Sequence, residues 1–276
     1  MNLVVQGPAL EEHQAQELAR MAAAKQLQPI APRAYRLLDP QNRNGIAHWC
    51  DTRRIDHAWM PEARSFADLK LIAMDMDSTL ITIECIDELG ELAGKKAEIA
   101  ALTARAMRGE IEYRESLRRR VAALAGLAVD SLQTIYEARL KLTPGADTLL
   151  AACKRHGVKL LLVSGGFSFF TERLRERLAL DYTISNVLEV RDGRLTGALV
   201  GEIVDADAKA RKFSEVARAL RAAPEHTVAI GDGANDLEMM KQAGISVAFR
   251  AKPVVRAQAT CALSWSGLDG VVNLFE

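Results

Sequence analysis

The sequence of 276 residues has no excess charge of either sign, because 36 lysines and arginines balance 36 aspartates and glutamates. A chain without net charge lacks the basic footprint that attracts nucleic acid, so we expect no nucleic-acid partner. It also lacks an apolar run of about 18 residues, the length that a membrane span needs, and we expect no membrane association. Any charged ligand must therefore be bound by local groups.

Cysteine is scarce as well. The four cysteines, at positions 50, 85, 153 and 261, are far apart, form no CxxC pair and match no zinc-site spacing. This usage is typical of reduced thiols in a reducing compartment. The sequence also has no basic start followed by an apolar run and a small-residue cleavage site. We therefore expect a cytoplasmic protein.

Short apolar runs alternate with helix-like segments from about Leu71 onward, a pattern typical of a parallel sheet wrapped by helices. The runs are aliphatic without alternation, as expected of strands covered on both faces. Five strands are predicted, at residues 69–75, 158–164, 227–232, 245–249 and 261–265. Residues 187–198 instead alternate around Asp192-Gly193, which predicts an antiparallel hairpin, here called the flap.

Helix ends are also marked. Thr143 and Pro144 predict the start of a helix that Gly157 ends, and Gly244 predicts the end of another.

The chain divides into three predicted regions. Residues 81–143 are nearly all helix-forming and contain no proline, which predicts an inserted helical cap. Residues 67–80 and 144–276 are predicted to form the catalytic core. Residues 1–66 predict a small α+β region, a β-α-β unit followed by an irregular linker, whose role the sequence does not give.

Polar residues follow three of the predicted strands, in "DMDST", "SGGFS" and "GDGAND". Ligands of open α/β sheets bind where the strands end, so these side chains should meet at one edge. Each motif alone is also common in ordinary loops. Together they place four carboxylates at one edge, where two charges about 4 Å apart repel by roughly 4 kcal/mol at an effective dielectric of 20. Such a cluster needs a cation, and its oxygen ligands favour Mg²⁺. The residues are Asp75, Asp77, Ser164, Gly165, Gly166, Asp232, Asn235 and Asp236.

A carboxylate nucleophile beside Mg²⁺ favours phosphoryl transfer through an aspartyl-phosphate. Asp75 would attack, and Asp77 would protonate the leaving oxygen and later deprotonate water. The Ser164 hydroxyl and the backbone amides around Gly165 and Gly166 would hold the phosphate oxygens.

A lysine is expected to neutralise the charge that develops on the transferring phosphoryl group. Lys209 and Lys212, in "DADAKARKF", are the candidates. The spacing alone favours an ordinary solvated lysine at both positions.

Over about residues 69–275 the chain resembles the haloacid dehalogenase superfamily and, within it, the phosphoserine phosphatase family. The resemblance lies in "DMDSTLITIECIDELG", "MRGEIEYRESLRRRV", "LVSGGF" and "GDGANDLEMMKQAG". The first and last motifs specify only the superfamily, whereas the glutamate and arginine segments of the cap are specific to the family. The resemblance implies an α/β fold, a Rossmann-like core with a parallel sheet, a helical cap and a β-hairpin flap.

The resemblance also implies a role for individual residues. Asp75 would be the nucleophile and Asp77 the general acid and base. Mg²⁺ would be bound by the Asp75 side chain, the Asp77 main-chain carbonyl and Asp232, with Asn235 and Asp236 at or near the site. The residues that would hold phosphate are Ser164, Gly165 and Lys209.

Four residues of the cap region would meet the rest of the substrate. The resemblance implies that Glu84 binds the amino group and Arg120 the carboxylate of phosphoserine. Met107 and Tyr113 would form an apolar wall, and Tyr113 stands where the family often has phenylalanine. Without the resemblance, Glu84 and Arg120 would read as a helix-surface ion pair, and the other two as core packing.

The predicted activity is hydrolysis of O-phospho-L-serine to L-serine and phosphate, the last step of serine biosynthesis. One alternative is a related phosphatase or phosphotransferase acting on another small phosphomonoester. Another is a receiver-type signalling domain, which needs neither the second carboxylate nor a cap. Many bacterial relatives carry an ACT-like N-terminal region, but 66 residues are short for one, and regulation by serine stays open. So does the oligomeric state, with a homodimer among the options.

Overall fold

The computed structural model describes residues 1–61 and 64–275. In this part of the chain the strands form two sheets, one of four strands and one of seven. Within the same residues, no helix combines the length and the apolar character that crossing a membrane would require.

The four-stranded sheet is antiparallel, with strand order β2-β3-β1-β4. Its elements are β1 (Asn2–Gln6), α1 (Glu12–Met21), β2 (Gln26–Ala31), β3 (Ala34–Leu38), α2 (Ile46–Thr52) and β4 (Asp56–Met60). The order is a split β-α-β arrangement, used twice. The sequence indicated only one β-α-β unit here. Strand β2 was missed because it is a largely exposed edge strand that contains Pro29 and lacks an aliphatic pattern. The expected irregular linker is wrong, because that stretch forms α2 and β4. We call β1 to β4 with α1 and α2 the N-terminal unit.

The N-terminal unit is attached to the core by buried polar side chains. The Asp56 carboxylate accepts hydrogen bonds from the backbone amides of residues 264–266 at 2.7–3.2 Å. Gln6 Nε2 donates to the Gly270 carbonyl at 2.9 Å, and Arg36 Nη2 donates to the Phe275 carbonyl at 2.6 Å. These bonds attach one face of the small sheet to residues 264–275, the last part of the core.

The seven-stranded sheet has the order β11-β10-β9-β5-β6-β7-β8 and is parallel except for β8. Its strands are β5 (Leu71–Asp75), β6 (Lys159–Phe167), β7 (Tyr182–Arg191), β8 (Arg194–Val200), β9 (Thr227–Gly231), β10 (Ile245–Phe249) and β11 (Cys261–Leu263). The α/β fold class and the antiparallel flap are confirmed. In the flap, Asp192 (φ 50°) and Gly193 (φ 73°) both adopt the left-handed conformation that its two-residue turn requires.

Helices cover both faces of this sheet and form a layer over one edge. The helices between β5 and β6 are α3 (Cys85–Leu92), α4 (Lys96–Met107), α5 (Tyr113–Ala122), α6 (Asp130–Ala138) and α7 (Ala146–His156). Those after β6 are α8 (Ser168–Leu178), α9 (Ala206–Ala219), α10 (Leu237–Met240) and α11 (Pro253–Arg256). Short 3₁₀ turns lie at Phe66–Asp68, Pro224–His226, Ala234–Asp236 and Leu268–Leu274.

Two of the predicted helix ends are wrong. Helix α7 begins at Ala146 after a left-handed Gly145, so Thr143 and Pro144 form a turn instead of a cap. The predicted end at Gly157 is confirmed by its left-handed conformation. Helix α10 ends at Met240, before Gly244, whose amide instead donates to the Pro224 carbonyl at 2.9 Å.

The segments that enter and leave helices α3 to α6 run side by side. The Thr82 amide donates to the Lys141 carbonyl at 3.0 Å, and the Thr143 amide donates to the Leu80 carbonyl at 2.9 Å. These helices, here called the cap, are thus joined to the core through two adjacent strands of chain. This connection places them above the carboxyl end of β5.

Candidate active site

Sheet register brings the predicted polar residues to one edge. Asp75 is the last residue of β5 and lies opposite Val163, so Ser164 follows at the same edge. Met74 lies opposite Ile230 on the other side, which places Asp232 just beyond the end of β9. The three motifs therefore meet because their strands are direct neighbours in the sheet.

A sharp turn over Met76–Leu80 follows β5 and aims Asp77 back at the sheet edge. Asp77 is extended (φ −66°, ψ 135°), and Ser78 is left-handed (φ 57°, ψ 2°). A left-handed serine is uncommon, and such residues concentrate where a turn has to position a functional group. Here the turn places two buried carboxylates on one side of the edge.

Lys209 lies beneath this edge and is fully buried. Its Nζ donates to Asp75 Oδ1 and to Asp236 Oδ1, both at 2.7 Å. Burial alone lowers a lysine pKa, but the two carboxylates outweigh it and raise the pKa of Lys209 above its ordinary value. Lys212, the other candidate, forms an ion pair with Glu215 at 2.8 Å instead.

Three carboxylates converge at the edge. Oxygen atoms of Asp75, Asp232 and Asp236 all lie within 4.8 Å of one another. Burial, followed by the charge of Asp236, raises the pKa of Asp232 to about 7, and burial also raises the pKa of Asp75. One lysine does not balance three carboxylates, so the cluster favours a further cation. Its all-oxygen donor set fits Mg²⁺.

The Asp77 side chain is not part of this group, which contains Asp236 in its place. Asp77 Oδ1 accepts a hydrogen bond from the Cys85 amide at 2.9 Å, and Oδ2 accepts one from Ser164 Oγ at 3.5 Å. Burial, followed by the charge of Glu84, raises the pKa of Asp77 to about 7. A carboxyl group with this pKa can both donate and accept a proton near neutral pH.

The irregular end of β6, residues 164–166, here called the phosphate-binding loop, is held in place by side chains. The Gly166 amide donates to Ser164 Oγ at 2.8 Å, and a Cβ on Gly166 would lie only 2.6 Å from Asp77 Oδ2. Asn186 Nδ2 donates to the Gly165 carbonyl at 2.8 Å, while Asn186 Oδ1 accepts from the Val204 amide at 2.8 Å. Sequence reasoning missed Asn186, because the burial of this amide is visible only in the folded chain.

The cap closes the other side of a cavity of about 600 Å³. The predicted residues that line it are Asp75, Asp77, Glu84, Met107, Tyr113, Arg120, Gly165, Gly166, Asp232 and Asn235. Ser164, Lys209 and Asp236 are buried beneath it. Lys252, which sequence reasoning also missed, lines the same cavity, and its amide donates to the Asp232 carbonyl at 3.1 Å.

The polar residues of the cap side are only partly satisfied. Glu84 Oε1 accepts a hydrogen bond from Ser78 Oγ at 2.6 Å, and desolvation by the cavity walls raises the pKa of Glu84. Arg120 Nε is buried and has no hydrogen-bond partner among the described residues. Its neighbours Arg118 and Arg119 are exposed, and Arg119 binds Glu115 at 2.6 Å. Of the run of three arginines, Arg120 alone lines the cavity.

Comparisons with known proteins agree with this geometry. A family model described as haloacid dehalogenase-like hydrolase matches residues 72–241, and one described as a domain of unknown function (DUF4072) matches residues 3–46. A protein of Polaromonas sp. (strain JS666) named phosphoserine phosphatase is 55% identical over 215 residues, which are 76% of this chain and 91% of that protein.

Two solved structures are also similar. The unliganded crystal structure of a probable phosphoserine phosphatase from Vibrio cholerae has a TM-score of 0.85 and 37% identity, covering 99% of this chain and 85% of that one. A structure described as a phospho-aspartyl intermediate analogue of phosphoserine phosphatase has a TM-score of 0.71 and 36% identity, covering 75% of this chain and 99% of that one.

Proposed function

The chain belongs to the haloacid dehalogenase-like hydrolases and, within them, to the phosphoserine phosphatases, and from that premise we propose how its residues carry out the reaction. The reaction is hydrolysis of O-phospho-L-serine to L-serine and phosphate through an aspartyl-phosphate. The observation that carries the assignment of roles is the Asp75 carboxylate, held through one oxygen by buried Lys209 at 2.7 Å. That bond engages Oδ1 of a residue that lines the cavity, and it leaves the other oxygen, Oδ2, as the nucleophile.

In the first step, Asp75 Oδ2 forms a bond to phosphorus while the bond from phosphorus to the serine oxygen breaks. Asp77 gives its proton to that oxygen, so that serine leaves as a neutral alcohol. The pKa of about 7 supports this role, because part of the Asp77 population is protonated at neutral pH.

In the second step, Asp77, now ionised, takes a proton from water as the water oxygen attacks phosphorus. The bond between phosphorus and Asp75 breaks, which regenerates both carboxyl groups and releases phosphate. Lys209 stays protonated throughout and offsets the negative charge near the transferring group. The Ser164 hydroxyl and the amide of Gly165 receive the phosphate oxygens.

We assign the metal to Mg²⁺, held by Asp75, Asp232 and the main-chain carbonyl of Asp77, with Asp236 and Asn235 adjacent. The fit rests on the convergence of carboxylate oxygens within 4.8 Å and on their excess of negative charge over Lys209. When bound, the ion supplies charge neutralisation and orientation for the phosphate group.

Substrate selection falls to the cap side. Glu84 binds the ammonium group and Arg120 the carboxylate, with Met107 and Tyr113 as the apolar wall. The unpaired Nε of Arg120 supports this role, because a buried guanidinium nitrogen without a partner costs free energy unless a ligand satisfies it.

The test is phosphate release from a panel of phospho-amino acids, sugar phosphates and an aryl phosphate, with and without Mg²⁺. We expect many turnovers per chain, preference for phosphoserine, loss of activity in excess chelator and recovery with Mg²⁺. Ca²⁺ should substitute poorly, because its larger and looser coordination shell misplaces the phosphate. Full activity in excess chelator would exclude the metal assignment, and a higher kcat/KM for a sugar phosphate would exclude the substrate.

A further inference from the structure

Tyr113 crosses the boundary between cap and core. It is the first residue of α5, yet its hydroxyl lies directly over Gly165 at the irregular end of β6. A Cβ placed on Gly165 would overlap the Tyr113 hydroxyl oxygen, whereas ring atom Cζ would be 3.5 Å away, an ordinary contact. The hydroxyl oxygen is therefore the atom with which a methyl group at this position would collide.

No hydrogen bond joins the Tyr113 hydroxyl to another residue in the described ranges 1–61 and 64–275. It is half-buried and lines the cavity, so that it remains open to a ligand. A hydroxyl that faces a cavity binds water until a ligand takes the place of that water. The Tyr113 hydroxyl is therefore available to a ligand atom.

The electrostatic setting selects the kind of ligand atom. Burial is the main cause that raises the pKa of Tyr113, so the hydroxyl is protonated at neutral pH and can donate a hydrogen bond. Lys209 and Arg120 act on it with positive charge, Asp75 and Asp236 with negative charge. A donor above Gly165 and near the nucleophile matches a negatively charged oxygen bound between Asp75 and the loop of residues 164–166.

We propose that the Tyr113 hydroxyl donates a hydrogen bond to a phosphoryl oxygen of the bound substrate and thereby couples the cap to the phosphate-binding loop. The inference rests on the proposed function, since that function places the phosphoryl group between Asp75 and residues 164–166. It adds a polar, substrate-contacting role to a residue whose ring otherwise serves as apolar wall.

The first experiment uses Tyr113→Phe, which removes one oxygen and keeps the ring. Tyr136→Phe, in α6 of the same cap and absent from the cavity lining, is the matched control. Three quantities are measured with Mg²⁺ present: Kd for inorganic phosphate by calorimetry, and kcat/KM for phosphoserine and for an aryl phosphate without a carboxylate. We expect all three to worsen by about 10-fold in Tyr113→Phe, as for loss of a hydrogen bond to a charged group, and to stay within about 2-fold in the control.

Other outcomes overturn the inference. Unchanged values for phosphate and both substrates would show that the hydroxyl makes no ligand contact. A loss for phosphoserine alone would assign it to the amino-acid end of the substrate. If the parent protein bound phosphate and hydrolysed the aryl phosphate but not phosphoserine, the proposed function would fail, while the phosphate comparison would still test Tyr113.

The second experiment tests the geometry without activity. Gly165→Ala should destabilise the parent, because the new methyl group overlaps the Tyr113 oxygen, and should be tolerated in the Tyr113→Phe background. We expect the Tm loss caused by Gly165→Ala to be about 2 to 4 °C smaller in the Tyr113→Phe background than in the parent. Equal Tm losses in the two backgrounds would mean that the hydroxyl does not lie over Gly165 in solution.

Discussion

The core side and the cap side of the cavity differ in how far their side chains are already buried and hydrogen-bonded within the protein. On the core side, Lys209 is fully buried and holds two carboxylates at 2.7 Å. On the cap side, Met107 is 62% exposed, and Arg120 Nε has no partner among the described residues. The phosphate group is common to every phosphomonoester and can be met by a preorganised edge. The remainder of the substrate differs between compounds, and the groups that recognise it complete their bonds only when it is present.

The largest effect should come from the core side, with Asp75→Asn. The amide keeps the shape of the carboxylate but cannot form the phospho-enzyme, so we expect kcat to fall by roughly 10⁴-fold or more. Acid quench followed by detection of protein-bound phosphate measures the intermediate directly. Asp77→Asn should retain labelling by an activated aryl phosphate, whose leaving group needs no proton. Labelling of Asp75→Asn would refute the nucleophile.

Lys209→Met should destabilise the protein as well as slow it. The change leaves Asp75 and Asp236 buried without their cation, and breaking such a group typically costs about 3 to 5 kcal/mol. Urea unfolding at neutral pH without Mg²⁺ measures the loss. The control is Lys212→Met in the same helix, where loss of a surface ion pair with Glu215 should change the free energy of unfolding by less than about 1 kcal/mol. Equal effects would remove the distinction between a preorganised core side and an ordinary helix surface.

Arg120→Ala tests the cap side. We expect kcat/KM for phosphoserine to fall by an amount equivalent to about 2 to 4 kcal/mol, because the substrate carboxylate loses a charged, two-pronged partner. The kcat/KM for an aryl phosphate without a carboxylate should scarcely change, and the free energy of unfolding should also stay the same. Arg119→Ala, whose side chain binds Glu115 on the surface, is the control. Equal losses on both substrates would mean that the cap side does not select.

Ser78→Ala should have the smallest effect, because it tests a single hydrogen bond. It removes the 2.6 Å hydrogen bond that orients Glu84 but leaves the Glu84 charge in place. We expect KM for phosphoserine to rise by about 3- to 10-fold, consistent with one hydrogen bond of about 1 kcal/mol, with little change in kcat. An aryl phosphate without an amino group is the control substrate. A fall in kcat for both substrates would place Ser78 with the chemistry of the core side instead.

The core strands could be predicted because strands that are buried on both faces consist of aliphatic residues without alternation. The flap could be predicted because Asp192 and Gly193 both tolerate the left-handed conformation that its turn requires. Strand ends carry the three motifs, so the gathering of carboxylates followed from topology. The assigned roles of these residues, the domain boundaries and the cytoplasmic location stay predictions, and the oligomeric state stays open.

The remaining features depend on packing that a linear pattern does not contain. Lys209 and Lys212 lie three residues apart in one helix, and only the fold decides which of them meets Asp75. The Asn186 side chain is hydrogen-bonded to two backbone groups that are distant in sequence, the Gly165 carbonyl and the Val204 amide. The free hydroxyl of Tyr113 becomes visible only beside Gly165. Strand β2 was not predicted because an exposed edge strand does not require aliphatic residues.

The attachment of the N-terminal unit has a consequence for the order in which the chain folds during synthesis. Gln6 and its partner Gly270 are 264 positions apart, and Arg36 and Phe275 are 239 apart. Met60 completes the small sheet 210 positions before Gly270, so at about 5 to 20 residues per second the sheet waits roughly 10 to 40 s until its partner segment has been synthesised. During that interval the face that carries Val4, Ala58 and Met60 lacks its cover. Gln6, Arg36 and Asp56 share that side of the sheet, and their polar groups can bind water until the core replaces it.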